Sequence, residues 1–384
     1  MSQKFDVIIV GAGVIGCSVA YHLKRLGVAN VLLLEREDFP GSGSTSKALG
    51  GIRAQFSTAI NIQMSLLSMK LLDEMDEEMR SQSGYVKAGY LFMTGSRQRF
   101  EQMKNTARFQ QELGVTVALL SREEIAVRVP FIKTDDLLGG TFGARDGFID
   151  ANGLTNAYFT RACAMGVHYV KNVEVKAFIK PNKRAVGVKT ASGDFEAEFI
   201  VNCCGPYAKE LAQMAGVALP VEAIRRQVVI TGPVTSWPRV FPMLIDSETS
   251  LVLRRDNEAI ALIYSNPEEP PGMNLKFDQE FIEVVAPKML QRAPSLEAAG
   301  FNYSRCWAGC YEVTPDHHAI IGESGVPGFL LCNGFSGHGV MHAPAAGLTL
   351  AEMIAFGKAS SIDLAPLSLR RFSENAWHRE HAVF

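Results

Sequence analysis

The sequence predicts a mixed α/β fold, α+β overall: one domain on a parallel sheet and a second lobe on a mainly antiparallel β-sheet. Three observations predict it. An apolar, β-branched run at the N-terminus, Phe5 to Val10, breaks at a glycine-rich turn and is followed by helical periodicity. The same strand, glycine, helix order returns at Phe199 to Pro206 and again from Gly328 into a helix running from about Met341 to Phe356. Between these returns, Val221 to Tyr264 holds four short β-like runs (AIRRQVVITG, FPMLID, SLVLRR and EAIALIYS) separated by turn residues, as in antiparallel strands. The first domain is therefore discontinuous, with pieces at residues 1–84, 146–218 and 311–384, and the second lobe takes residues 85–145 and 219–310. Met64 to Met79 and Arg97 to Leu113 look helical and are expected to pack with the second lobe.

A chain of 384 residues exceeds one small core, in keeping with two or three domains. The formal net charge of -2 lacks the clustered basic surplus of nucleic-acid binders, so no nucleic-acid partner is expected. The densest charge run, Asp73 to Arg80, reads as the solvated face of a helix. Seven cysteines (Cys17, Cys163, Cys203, Cys204, Cys306, Cys310 and Cys332) are odd in number and form no CxxC pair. That argues against a disulfide framework or a zinc site, so no metal is expected, and the cysteines read as small buried residues of a reducing, cytoplasmic compartment. Lys4 before the apolar stretch Val7 to Ala20 imitates a signal peptide, but patterned glycines interrupt the stretch. No other segment is expected to approach the roughly 18 continuous apolar residues of a membrane helix, so a soluble chain with no transmembrane segment is expected.

The N-terminal unit carries the most specific chemistry. Phe5 to Val10 is followed by Gly11-Ala-Gly-Val-Ile-Gly16, a helical stretch from Cys17 to Leu26, a second buried run Val31 to Leu34, and then Glu35-Arg36. This is the order of a dinucleotide-binding βαβ unit. Gly11 permits the tight turn, Gly13 lets a pyrophosphate approach the backbone, and Gly16 lets helix and strand pack closely. The helix N-terminus offers N–H groups and partial positive charge to phosphates. Glu35 stands where a carboxylate accepts from both ribose hydroxyls, and its charge disfavours a 2′-phosphate.

The next segment, Gly41 to Arg53 (GSGSTSKALGGIR), separates FAD from NAD. Taken alone it also reads as a flexible linker. NAD-dependent dehydrogenases usually continue straight into further βα units, whereas flavoproteins of the glutathione-reductase type line the flavin with a Ser/Thr-rich loop here. FAD is the expected cofactor. Candidate contacts are Val14 and Ile15 at the helix start, Arg36 beside Glu35, and Ser44, Thr45, Ser46, Lys47, Gly50 and Gly51 in the loop. Lys47 reads equally as a solvated lysine.

GSGSTSKALGGIRAQFS resembles the D-amino-acid-oxidase-like FAD-dependent oxidoreductase superfamily, closest to its sarcosine oxidase β-subunit and L-proline dehydrogenase group. Three later segments share the resemblance: VNCCGPYA from Val201, WAGCYEVTPDHH from Trp307, and GFSGHGVMHAP from Gly334. It runs from residue 5 to about 357 and implies a glutathione-reductase-type, Rossmann-like FAD-binding domain. It adds Val173, Cys204, Gly205, Gly337, His338, Gly339, Val340 and Met341 as candidate flavin contacts. Read from the residues, Pro206 suits a first helical turn, and the Gly334 to Gly339 loop feeds a helix whose N-terminus can stabilise negative charge; an ordinary strand-to-helix connection is the alternative.

The implied reaction is oxidation of the C–N bond of a secondary or N-alkyl amino acid, proline- or sarcosine-like, by hydride transfer to flavin N5. The cofactor supplies the redox chemistry and the chain supplies positioning. Arg53, a planar bidentate cation just after Gly51, is the candidate carboxylate anchor, although it could instead pair with a phosphate or an acid. His338, between two glycines, is a candidate flavin contact or a packed histidine; His342 and the pair His317-His318 are weaker candidates. Tyr264 covers the substrate or fills the sheet. Monomeric sarcosine oxidases carry a lysine where this chain has Met341, and another in the strand matched by Ala259 to Tyr264, which here has none. The latter absence puts rapid use of oxygen in doubt. Cys310 sits one position off the cysteine that links flavin covalently in those enzymes, so non-covalent FAD is expected; Ile149 replaces the histidine that carries a second flavin in heteromeric relatives. A 2-hydroxy acid dehydrogenase of the same fold, and an FAD-binding subunit that passes electrons to a partner chain or other acceptor, are the alternatives.

Overall fold

The computed structural model describes residues 3–79 and 83–382; Arg80, the end of the acidic run, lies outside the described residues. The first sheet runs in the order Ile320–Glu323, Phe329–Asn333, Gly193–Asn202, Gln3–Val10, Val31–Leu34, His168–Val170. The N-terminal strand pairs in parallel with Gly193–Asn202 on one side and with Val31–Leu34 on the other. Val7, Ile8 and Ile9 are fully buried, and so is every residue of Val31–Leu34. These strands are covered on both faces, which is why they appear in sequence as continuous apolar runs rather than alternating ones.

Helix Val14–Arg25 packs between Ala151–Ala164 and the C-terminal helix Gly339–Phe356. The last contact is close because it is built from small residues: Ser18 Oγ donates to the Ala343 carbonyl at 2.8 Å, and any Cβ on Gly347 would overlap Ser18. Contrary to expectation, Gly339–Phe356 is long and apolar enough by composition to cross a membrane. Here it serves as a mostly buried core helix between Val14–Arg25 and Ala59–Met79. Helix Ala59–Met79 therefore packs with the first lobe, in line with the 1–84 boundary and against the expectation that Met64 to Met79 packs with the second; its buried Ile62, Met64, Met69 and Leu72 join that core. Arg97–Glu112 does lie against strands of the second lobe.

The second sheet has eight strands, in the order Trp307–Val313, Glu222–Ile230, Ala259–Tyr264, Leu251–Asp256, Met243–Asp246, Tyr90–Thr94, Gly139–Gly143, Val117–Ser121. All neighbours pair antiparallel except Met243–Asp246 with Tyr90–Thr94, which is parallel. The two halves of the lobe, far apart in sequence, are joined at that parallel pair. Strand Trp307–Val313 completes this sheet, so the chain returns to the first lobe only after Val313.

The two-residue period of the strands gives the sheet two apolar faces. Tyr90, Phe92, Val228, Ile230, Met243, Ile245, Val252 and Ile263 form one; Leu91, Met93, Val229, Leu244, Leu253, Ile260 and Leu262 form the other, with helix Phe281–Arg292 packed on it. Arg292, wholly buried, closes that outer layer by pairing with Asp246 at 3.0 Å and Asp136 at 2.9 Å. The first apolar face looks onto the site.

Candidate active site

A cavity of about 570 Å³ runs from the glycine turn after the first strand to the inner face of the second sheet. At its nucleotide end Gly11 turns with φ +101°, and a Cβ there would stand 2.5 Å from the Cys203 carbonyl oxygen. A side chain on Gly16 would overlap the Gly11 carbonyl, so Gly16 serves packing and does not itself line the cavity. Helix Val14–Arg25 begins at Gly13 without a side-chain cap, and Gly13, Val14 and Ile15 line the space. Glu35 is held by accepting from the Ala12 amide at 2.8 Å and the Glu37 amide at 3.0 Å. Arg36 lies 3.6 Å over the Tyr207 ring, and Val173, whose amide donates to the Glu35 carbonyl, completes this wall with Cys204 and Gly205.

The Ser/Thr-rich loop is ordered by its neighbours as a short helical turn, Ser44–Lys47. Thr45 Oγ1 accepts from the Val14 amide at 3.2 Å, and Ser44 Oγ donates to the Cys310 carbonyl at 2.7 Å. The Lys47 carbonyl accepts from the Trp307 indole at 3.1 Å. Ser46 turns outward and bonds within the loop, so it is outside the cavity lining. Gly50, with φ +65°, has room for no side chain beside the Ile149 carbonyl. Gly337, with φ +93°, lies against the Tyr311 ring, and Gly51, Gly339, Val340 and Met341 complete the lining.

At the inner end Arg53 is buried, only 4% exposed. Its guanidinium donates to the carbonyls of Gln55 and Ala382, stacks 3.8 Å over the Phe56 ring, and reaches within 3.5 Å of His338 Nε2. Burial works against its charge, and the Glu380 carboxylate is the largest influence in its favour. His338 stands at the N-cap position of helix Gly339–Phe356 without a side-chain capping bond, and packs edge-on to Phe56. Burial, and then the charge of Arg53, hold its pKa well below the usual value, so the imidazole is neutral at pH 7.

Tyr264 is not part of this constellation. Its ring stacks on Phe281 with Lys288 above it at 4.2 Å, on the outer face of the sheet, while its neighbour Ile263 faces the cavity. The other histidines are also placed. His342 bonds Ser65 at 3.0 Å and His318 bonds Thr58 at 2.9 Å, both away from the lining, and His317 sits 3.2 Å from Arg379.

Sequence reasoning missed five groups that the fold brings to the site. Tyr90, Tyr311 and Arg226 line the inner end. Glu312 accepts from the Phe335 amide at 3.3 Å while its Oε2 has no hydrogen-bond partner among the described residues, and burial pushes its pKa up to about 7. Glu380, in the C-terminal tail, is fully buried against the loop that follows Arg53. Tyr311 and Glu312 were at least within a segment already singled out; Glu380 carries no local signal.

The residues fit FAD. A cradle without Cβ atoms, a helix N-terminus whose N-cap Gly13 has no side chain and a carboxylate at the end of the second strand suit the dinucleotide, and the cavity continues far enough for a ring system. Residues 6–353 match the FAD dependent oxidoreductase (DAO) family. FAD-dependent oxidoreductase domain-containing protein 1 of Xenopus laevis is 30% identical, over 98% of this chain and 84% of its own. Human mitochondrial sarcosine dehydrogenase is 28% identical over 98% of this chain, which spans only 43% of that larger protein. The crystal structure of L-proline dehydrogenase from P. horikoshii superposes with a TM-score of 0.91 at 28% identity, covering 98% of this chain and all of the other. Fold, cradle and relatives agree, and the chain belongs to the FAD dependent oxidoreductase (DAO) family.

Proposed function

We propose that this oxidoreductase acts on the C–N bond of a secondary or N-alkyl amino acid, as a dehydrogenase or oxidase. The observation that carries the proposal is Arg53: a buried cation at the inner end of the cavity, beside a neutral imidazole and facing an apolar wall. That combination suits a small molecule with one carboxylate and an apolar carbon skeleton next to the reacting nitrogen. The names of the human sarcosine dehydrogenase and the P. horikoshii L-proline dehydrogenase support the same class.

Bound FAD supplies the two-electron acceptor. Arg53 fixes the carboxylate and so the orientation of the adjacent carbon. Phe92, Met243, Ile245 and Val252 exclude water from that region and hold the alkyl groups. His338, neutral and bonded near Arg53, offers a hydrogen-bonding nitrogen without adding positive charge beside the anchor. The N-terminus of Gly339–Phe356 opens on the cavity, and its partial positive charge favours negative charge placed there. Non-covalent attachment is supported by Cys310, whose thiol donates to the Asn274 carbonyl at 3.5 Å and is kept protonated by burial.

The test is a dye-coupled assay of the FAD-loaded chain with sarcosine, L-proline, other N-alkyl glycines and 2-hydroxy acids, with product identification. Turnover of an amino acid to a carbonyl and a free amine, or to a cyclic imine from proline, is expected. Turnover of 2-hydroxy acids alone would replace this proposal with the hydroxy-acid one.

A further inference from the structure

Strand Glu222–Ile230 carries two adjacent arginines whose side chains fall on opposite faces. Arg225 is fully employed: Nε and Nη2 bind Glu269 at 2.6 and 3.2 Å. Arg226 shares the cavity face with Val228 and lines the cavity. Among the described residues it has no acidic partner within salt-bridge distance. The acid whose charge it feels, Glu269, is already bound to Arg225. One Arg226 nitrogen donates to the Arg225 carbonyl at 3.0 Å, its Nε is buried with no partner among the described residues, and its guanidinium stands 5.4 Å from the centre of the Tyr311 ring.

A largely buried cation with an unsatisfied donor is unfavourable unless something anionic completes it. The neighbourhood leaves room for that. Arg226 pairs across the ladder with Gly309, which has no side chain, and the next residue on the same face is Tyr311. Arg226, Tyr311 and Arg53 all line the cavity, and Tyr311 feels the charge of both arginines, so the inner cavity presents two cations near one tyrosine. One carboxylate on the substrate satisfies only one of them.

We propose that Arg226 forms a second anion subsite, and that the preferred substrate is an amino acid carrying a second acidic group, on its side chain or as an N-carboxyalkyl arm. This rests on the assignment of Arg53 as anchor for the first carboxylate. The alkyl segment between the two acids then lies along Val228 and Met243, and the planar guanidinium takes the second carboxylate through two parallel N–H bonds.

The experiment measures binding rather than turnover. FAD-loaded wild type, Arg226→Met and Arg226→Lys are titrated with dicarboxylates from malonate to adipate and with monocarboxylates of equal length, following perturbation of the flavin absorbance. Wild type is expected to bind the best dicarboxylate about 10- to 100-fold more tightly than its monocarboxylate match. R226M should lose that preference with its monocarboxylate and FAD affinities within about 3-fold of wild type, and R226K should recover part of it. Equal affinity for mono- and dicarboxylates in wild type would overturn the proposal. So would an R226M variant that weakens both classes alike, or one that loses FAD, since Arg226 would then serve the first carboxylate, the fold or the cofactor. If the dicarboxylate preference depends on Arg226 but no amino acid reduces the flavin, the subsite stands and the proposed reaction fails.

Discussion

Replacing Glu380 by glutamine should disturb the active site from a tail 327 positions away from Arg53 in sequence (380 minus 53). The Glu380 carboxylate is fully buried and accepts from the Ser57 amide at 2.8 Å, the Thr58 amide at 3.2 Å, the hydroxyls of both, Asn61 Nδ2 at 3.1 Å and the Ala382 amide at 2.9 Å. An amide retains one acceptor oxygen and turns its NH2 toward donors, so several buried hydrogen bonds are lost together. Each bond to a charged group contributes about 1.5–3 kcal/mol, but such losses are not additive; breaking a buried charged network costs about 3–5 kcal/mol. Burial opposes ionisation of Glu380, yet the donors of Ser57 and Thr58 outweigh it and hold its pKa below the usual carboxylate value. A group depressed in this way stabilises the fold above its unfolded pKa of about 4.3, and that stabilisation is lost as pH falls through the folded value. The penalty of Glu380→Gln should therefore be full at pH 7 and shrink on acidification below about pH 4. Because the Ala382 carbonyl next to this anchor holds the Arg53 guanidinium, KM for the amino acid should rise more than kcat falls, with FAD affinity unchanged. Thermal melts at both pH values, with steady-state kinetics, check this. An E380Q protein that melts like wild type at pH 7 and keeps its KM would refute the reasoning.

Three further outcomes follow from the same geometry. Arg53→Met should reduce kcat/KM for the amino acid about 100-fold or more while FAD still binds, measured by steady-state kinetics and flavin titration. Gly11→Ala combines positive φ with a Cβ 2.5 Å from the Cys203 carbonyl oxygen, so FAD affinity measured by fluorescence quenching should fall sharply. Asp146 is buried, bonds Ala54 and Gln55, and has its pKa raised to about 7 by burial. A raised carboxyl pKa makes wild-type stability fall as pH rises from about 4 to 7, so Asp146→Asn should flatten that slope in denaturant titrations and be no less stable than wild type at pH 8.

The parts of the fold written in local sequence are those where one segment's burial decides its pattern. Val7 to Val10 and Val31 to Leu34 are covered on both faces, and Gly11 has a backbone conformation and a close approach that leave no alternative. Parity was less legible. The run Ala259–Tyr264 (AIALIY) is apolar throughout, so its pattern cannot say which set of side chains faces the ligand; both readings of Tyr264 stay open in the sequence, and the structure gives the cavity face to Ile263. Helix Ala59–Met79 is apolar around much of its circumference, and its lobe is set by contact with Gly339–Phe356 rather than by its own periodicity. Strand Gly139–Gly143 (GGTFG) has poor β-propensity and exists because its glycines allow close packing against the Phe100 ring and the Phe92 carbonyl. Glu380 and Arg226 look like ordinary surface charges; only tertiary structure buries one and leaves the Nε of the other without a partner among the described residues.

The most direct test of the central claim, an FAD-bearing cavity built around an Arg53 carboxylate anchor, is an anaerobic absorbance spectrum of the FAD-loaded protein. It is recorded before and after addition of L-proline, sarcosine and an N-carboxyalkyl amino acid, in wild type and in Arg53→Met. A flavin spectrum bleached by at least one of these in wild type, and bleached in R53M only at far higher concentration, is the predicted result. A protein that takes up no FAD on reconstitution, or one bleached equally well with and without Arg53, would contradict it.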